Sequence, residues 1–269
     1  MHQLAPFQLA AFDLDGTLLE SASSMGPRAA AALKEMAAAG ITVAPATARF
    51  QPISVAPFAQ IGLSVPSISA AGADVRAADG SIIAQRTIPG GLAKELGLLC
   101  DRAGWRATVS TRQGNYQRSD EVPQWASTPP PFLTFTRSLA GVELEEVLSF
   151  LISIERDDRL RAEIETVAPE LTLYDAVRHD GRELLTVTAR DVDKGSGLRD
   201  LCDFLDVDPR SVIAFGDSAV DLPLFRSAGH AVAMPEAPRE VKQEARTVAP
   251  EGEDPIGTVL EELVAGELS

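Results

Sequence analysis

The sequence predicts an α/β fold: a Rossmann-like parallel sheet assembled from both ends of the chain, with an α+β domain inserted between them. Three observations carry this expectation. Short apolar runs alternate with helical stretches at each end, those runs stop at acidic or hydroxylated loops, and the pattern changes to scattered strands and turns in between.

Leu9–Ala10–Ala11–Phe12 is an apolar run that ends at Asp13, as a strand buried on both faces does. Pro27 opens an alanine-rich stretch to Ala39, and Gly40 follows it; proline at the start and glycine past the end frame a helix. Ile41 to Pro45 reads as the next strand, and strand–helix–strand order implies a right-handed crossover between parallel neighbours. The rhythm returns near the C-terminus. Gly197 to Leu205 reads as a helix, Ser211 to Phe215 as a strand, Leu222 to Ala228 as a helix, Ala231 to Met234 as a strand, and Pro238 to Ala245 as a helix.

Between these halves, Ala78–Asp79–Gly80 signals a turn between two β-like runs within Val75 to Ile88. Ala107 to Ser110, Phe132 to Thr136 and Leu184 to Thr188 read as strands. Leu92 to Ala103, Leu144 to Ile154 and Leu160 to Ala168 read as helices. Thr128–Pro129–Pro130–Pro131 fits neither, because proline lacks an amide donor. The expected organisation is a core of residues 1–83 and 189–269 around an inserted domain of residues 84–188.

Composition narrows the function. The 269 residues carry a formal charge of −15, which argues against nucleic-acid or anionic-membrane binding, both of which need a basic surface. The start of the chain lacks the basic and apolar pattern of a signal peptide, and the sequence lacks an apolar run of the roughly 18 residues that span a bilayer. A cytoplasmic location is expected. Cys100 and Cys202 have no metal or disulfide spacing and sit among leucines, as small buried hydrophobes. His2, His179 and His230 are scattered and fit structural or surface roles better than metal ligation.

The chemistry gathers at the ends of the expected core strands. Asp13 and Asp15 stand two apart in Asp13–Leu14–Asp15–Gly16–Thr17, and Gly16 lets the backbone turn away with its amides free to meet an anion. Asp217 and Asp221 follow the run Val212–Ile213–Ala214–Phe215. Ser218 as a helix cap would bring Asp221 back beside Asp217; read alone, both acids suit an ordinary helix N-terminus. In parallel α/β sheets ligands bind beyond the carboxyl ends of the strands, so two acidic loops can converge there. At 4 Å a carboxylate pair costs about 4 kcal/mol with an effective dielectric near 20. A divalent cation relieves this, and all-oxygen ligands favour Mg²⁺.

These segments resemble the haloacid dehalogenase superfamily. Asp13–Leu14–Asp15–Gly16–Thr17 matches its first motif, Thr47 the second, Lys194 in Asp193–Lys194–Gly195 the third, and Gly216–Asp217–Ser218 with Asp221 the fourth, all in order. The long insertion between Thr47 and Lys194 resembles the type IIB cap of the Cof-type branch, so the resemblance spans nearly the whole chain. It implies a phosphatase acting on small phosphorylated metabolites such as sugar phosphates, nucleotides or phosphorylated cofactors. Asp13 would be the nucleophile and Asp15 the acid/base. Asp13, the Asp15 carbonyl, Asp217 and Asp221 would hold Mg²⁺, and Thr47 and Lys194 the phosphoryl oxygens. The cap would close over the site about hinges near residues 82–86 and 186–190.

A charge count over the four aspartates, Lys194 and Mg²⁺ leaves one negative charge, which predicts a proton on Asp15 when phosphate is bound. Arg49 and Gly72 are candidate substrate contacts. In the cap, Arg112, Asn115, Tyr116 and Arg118 suit a polar leaving group, while an exposed hairpin accounts for the same segment equally well. Ala48, Ala71 and Val220 depart from the usual glycine, asparagine and asparagine of the Cof-type pattern. Ala71 and Val220 leave open a catalytically weakened ligand-binding or regulatory protein, and a branch of the superfamily with a similar cap that transfers phosphate leaves open a phosphosugar mutase. The oligomeric state is left open as well, a monomer included.

Overall fold

The computed structural model describes residues 7–20, 23–121, 130–154, 158–177 and 183–267; His2, Thr128, Pro129 and His179 lie outside them. Two compact units emerge, one of Met1–Ala84 with Asp193–Ser269 and one of Gln85–Val192.

The first unit begins with β1 (Leu9–Phe12), α1 (Pro27–Ala38) and β2 (Thr42–Pro45). Pro27 opens α1, whose buried face carries Ala29, Ala32, Leu33 and Met36. That spacing of three and four turns one apolar stripe to the sheet. A short helix α2 (Ala56–Gln60) leads to a small sheet of β3 (Ser67–Ser69), β4 (Asp74–Arg76) and β5 (Ile82–Gln85).

The second unit contains α3 (Gly90–Ala103), β6 (Ala107–Thr111), β7 (Asn115–Arg118), β8 (Leu133–Thr136), β9 (Val147–Ile154), α4 (Asp158–Val167), β10 (Thr172–Val177) and β11 (Glu183–Thr188). Its strands form one sheet in the order β10-β11-β9-β6-β7-β8. β9 corrects the helix expected over Leu144 to Ile154. Leu144, Val147, Leu148 and Leu151 imitate helical spacing, yet the segment pairs on both sides, with β6 and with β11. Leu148 and Leu151 on the face opposite Val147, Phe150 and Ile152 blur the two-residue alternation of the strand, and spacing alone then does not separate it from a buried helix. Val147, Phe150 and Ile152 enter this unit's core with Leu96, Val109, Leu185 and Val187. Cys100 is buried there too, and burial first, with Asp101 adding to it, pushes its thiol up to about 12.

The chain then returns to the first unit through α5 (Lys194–Leu205), β12 (Val212–Gly216), α6 (Leu222–Ser227), β13 (His230–Ala233), α7 (Arg239–Glu244), β14 (Thr247–Val248) and α8 (Pro255–Ala265). α5 starts three residues before the expected Gly197. Asp193 and Ser196 form a reciprocal capping box there, which satisfies otherwise orphaned amides and brings Lys194 into the first turn. The main sheet runs β14-β13-β12-β1-β2, parallel throughout. Its sides are covered by α1 and α8 around Phe12, Phe215 and Met36, and by α5 and α6 around Leu198, Leu201 and Leu224. Phe12 and Phe215 stack with ring centroids 4.7 Å apart. His230 is structural, its Nε2 lying 2.8 Å from Thr247 Oγ1. Among the described residues no helix is long and apolar enough to cross a membrane.

Candidate active site

β1 has β2 on one side and β12 on the other, so the strand order reverses direction around it. Ligands of open parallel sheets bind at such a switch point. Register places Phe12 beside both Phe215 and Pro45, and the Asp13 amide donates to the Phe215 carbonyl at 2.9 Å. Asp13, Asp217 and Thr47 therefore leave three adjacent strands at one end of the sheet. Gly16 turns the first loop with φ 86°, and a Cβ there would stand 2.5 Å from Asp217 Oδ2. Its lack of a side chain lets the two acidic loops close on each other.

Lys194 is fully buried, and its Nζ donates to Asp13 Oδ1 at 2.5 Å and to Asp221 Oδ1 at 2.6 Å. The other Asp221 oxygen accepts from the Asp217 and Ser218 amides, both at 3.0 Å, and from Ser218 Oγ at 3.2 Å. Asp221 thus orients the lysine with one oxygen and the Asp217 loop with the other, so it caps a helix turn and serves the site at once. Thr17 Oγ1 donates to Asp217 Oδ1 at 3.1 Å, a supporting role for the threonine of the first motif. Asp13, Asp217 and Asp221 each offer an oxygen within 4.8 Å of the others.

The electrostatics fit a cation. Burial first, outweighing Lys194, and then Asp221 and Asp217 hold the Asp13 carboxyl well above the usual range. Burial and Asp221 push Asp217 up to about 7, against Lys194 and the Thr17 bond. Burial alone would disfavour the Lys194 ammonium; Asp13 and Asp221 overcome it and raise its pKa. One lysine does not balance this crowd of oxygens, and a divalent ion held by Asp13 and Asp217 would.

That imbalance predicts a pH-dependent stability. A carboxyl raised from 3.8 in the unfolded chain to about 7 contributes stability that is whole at low pH and lost as pH rises through the folded value. In chelator, wild type should lose more stability than Asp217→Asn between about pH 5 and about pH 8, and Mg²⁺ should close that gap. Denaturant titrations at both pH values test this; parallel losses in the two proteins would refute it.

Thr47 is buried at the end of β2, and its Oγ1 accepts from the Arg49 amide at 3.2 Å. Arg49 grips Asp15 in a fork, Nε to Oδ2 at 2.7 Å and Nη2 to Oδ1 at 2.6 Å. The charge count from sequence omitted this cation. With Arg49 included, the four aspartates balance Lys194, Arg49 and a divalent ion before phosphate enters; the proton expected on Asp15 then belongs to the phosphate-bound form, where the added negative charge favours it. The Asp15 side chain lies outside the metal-competent cluster, which leaves its backbone carbonyl as the ligand the family resemblance implies.

Gly72 has φ 100°, and a Cβ built on it would lie 1.9 Å from the Asp193 carbonyl oxygen. It lets the 70–72 loop pack on the peptide that presents Lys194. Gly72→Ala should therefore destabilise the protein by several kcal/mol, through a backbone clash that no side-chain rotation relieves. A thermal midpoint within a degree or two of wild type would contradict this role. Ala71 beside it adopts φ 55°. Asparagine tolerates that region better than most residues, which accounts physically for the asparagine of the usual pattern.

The cap candidates find partners inside their own unit. Thr111 to Arg118 forms the hairpin of β6 and β7. Arg112 pairs with Glu146 at 2.8 Å, Asn115 Nδ2 donates to the Phe132 carbonyl at 3.1 Å, and Tyr116 packs on the unit's core. Arg118 is buried and donates to Asp101, the Trp105 carbonyl and Asp120. These contacts give the four residues structural work.

The family profile of haloacid dehalogenase-like hydrolases matches residues 10–261. The chain belongs to this family. Its fold is that of the Cof-type IIB branch: a haloacid dehalogenase subclass IIB sugar phosphatase superposes with a TM-score of 0.80 at 20% identity, covering 96% of this chain and 99% of that one. A haloacid dehalogenase-like hydrolase from B. subtilis gives 0.81 at 21% identity with the same coverage. In sequence, the chain is 28% identical over 259 residues to a candidate phosphatase of Haemophilus influenzae, covering 93% of this chain and 95% of that protein. It is 26% identical over 248 residues to an HMP-PP phosphatase of Yersinia pseudotuberculosis, covering 88% and 87%. Family and relatives together mark the enzyme as a phosphatase.

Proposed function

We propose that this enzyme hydrolyses small phosphorylated metabolites with Mg²⁺ through a phosphoaspartate on Asp13. The observation that supports it best is the convergence of Asp13, Lys194, Asp217 and Asp221, drawn from three separate segments, at the switch point of the sheet. Asp13 attacks phosphorus; an oxygen–phosphorus bond forms as the bond to the leaving oxygen breaks. Asp15 supplies the proton to the leaving oxygen. In the second half it accepts one from the water that attacks the phosphoaspartate, which releases phosphate and restores Asp13. Lys194 and Thr47 hold the phosphoryl oxygens, and Asp221 keeps Lys194 aimed. Mg²⁺, held by Asp13, the Asp15 carbonyl and Asp217 with Asp221 behind them, would offset the charge of the entering phosphoryl group.

Phosphate release from a panel of sugar phosphates, nucleotides and phosphorylated cofactors tests the proposal. Release should fall by about two orders of magnitude or more in chelator, since Lewis-acid stabilisation is worth several kcal/mol. Turnover that requires a bisphosphate activator would indicate a mutase. Binding without turnover would indicate a regulatory protein.

A further inference from the structure

The Arg49 backbone is fixed from both directions. Its amide donates to Thr47 Oγ1 at 3.2 Å, and its carbonyl accepts from the Ala70 amide at 2.7 Å. Ala70 and Ala71 hold that loop at φ 49° and 55°, a conformation that costs an L-residue roughly 1–2 kcal/mol. Movement at Arg49 is thereby confined to its side chain. The Arg49 side chain is 14% exposed and that of Asp15 33%, whereas the Lys194 side chain is wholly enclosed. Of the two cations in the site, Arg49 is the one within reach of solvent.

In the reaction proposed above, Asp15 must meet the leaving oxygen. In the fork, both of its oxygens are taken by guanidinium hydrogens. Charge-assisted bidentate pairs are among the stronger protein hydrogen bonds, so opening this one is unfavourable unless the guanidinium gains another anion. In that same reading the phosphoryl oxygens go to Lys194 and Thr47, which leaves Arg49 for another anion. A cation that rests against Asp15 rests on the side of the leaving group.

We propose that Arg49 determines specificity by exchanging Asp15 for an anionic group on the leaving part of the substrate. The enzyme then favours phosphate compounds whose leaving group carries a second negative charge, a carboxylate or another phosphate, over esters of neutral alcohols. Arg49 keeps its charge throughout and makes no covalent bond. This rests on the phosphatase reading of the same site.

A matched pair of esters tests it: 3-phosphoglycerate and glycerol 3-phosphate, which differ in a carboxylate against a hydroxymethyl group. Wild type should favour the acid in kcat/KM by at least about tenfold, the worth of one hydrogen bond to a charged group. Arg49→Gln should bring the ratio close to unity, and Arg49→Lys should keep part of it by retaining charge without the fork. Calorimetry on Asp13→Asn with Mg²⁺ should show the same preference in affinity for the intact esters, and Asp13→Asn/Arg49→Gln should lose it. Equal wild-type constants for the two esters would overturn the proposal, as would an Arg49→Gln that slows both by one factor. If wild type releases no phosphate from either ester or from p-nitrophenyl phosphate, the phosphatase reading falls. A preference in the calorimetry would then still support the anion site at Arg49, and equal affinities would remove it.

Discussion

Asp13→Asn should abolish phosphate release, lowering kcat by about four orders of magnitude or more, because loss of a nucleophile removes the covalent route and leaves only binding and charge stabilisation. The amide matches the carboxylate in shape, and its oxygen can still accept from Lys194. The fold should therefore survive. In metal-free protein near neutral pH, stability should rise, since the substitution deletes a buried carboxyl held well above its usual range by burial and by Asp221 and Asp217. Opposite signs in the two measurements are the signature of a group kept for chemistry at a cost in stability. Steady-state assays and denaturant titrations on one preparation give both. Turnover near the wild-type rate would rule Asp13 out as nucleophile, and lower stability in chelator would mean the carboxylate crowding is overstated.

Much of this site was legible because its chemistry demands particular residue types at strand ends. Asp13, Thr47 and Asp217 each follow an apolar run, and the parallel pairing of β1, β2 and β12 follows from that pattern with the crossover rule. Lys194 was legible only through its place in the series of motifs; a buried lysine has no local signature. The Arg49–Asp15 fork was not legible. It joins residues 34 apart whose meeting depends on the β1–β2 register and on the loop conformation at Ala70 and Ala71. Arg118 misled for a related reason. An arginine in a mixed polar segment looks ready for a ligand, but the fold buries it against Asp101 and Asp120. Helix α8 had a readable signal in Asp254 and Pro255, a side-chain cap followed by proline at the first helical position.

Lys194→Met should be the most damaging change to stability outside the glycines, and its pH dependence separates the electrostatic cause from a packing one. The substitution keeps most of the side-chain volume and removes the charge between two buried acids. Deleting one member of a buried ion pair costs roughly 3–5 kcal/mol. Wild type itself loses stability as pH rises, because Asp13 and Asp217 are held above their usual range; removing the ammonium steepens that loss, so the difference between the two proteins should shrink on acidification. Mg²⁺ should return part of the loss, because it offers Asp13 another positive partner. A cavity or a strained rotamer would cost the same at both pH values and would ignore the metal. Urea titrations of the two proteins at neutral and mildly acidic pH, with Mg²⁺ and with chelator, distinguish these. A pH-independent deficit would mean that Lys194 holds the site together by its packing, and the charge balance attributed to Asp13, Asp221 and the lysine would have to be abandoned.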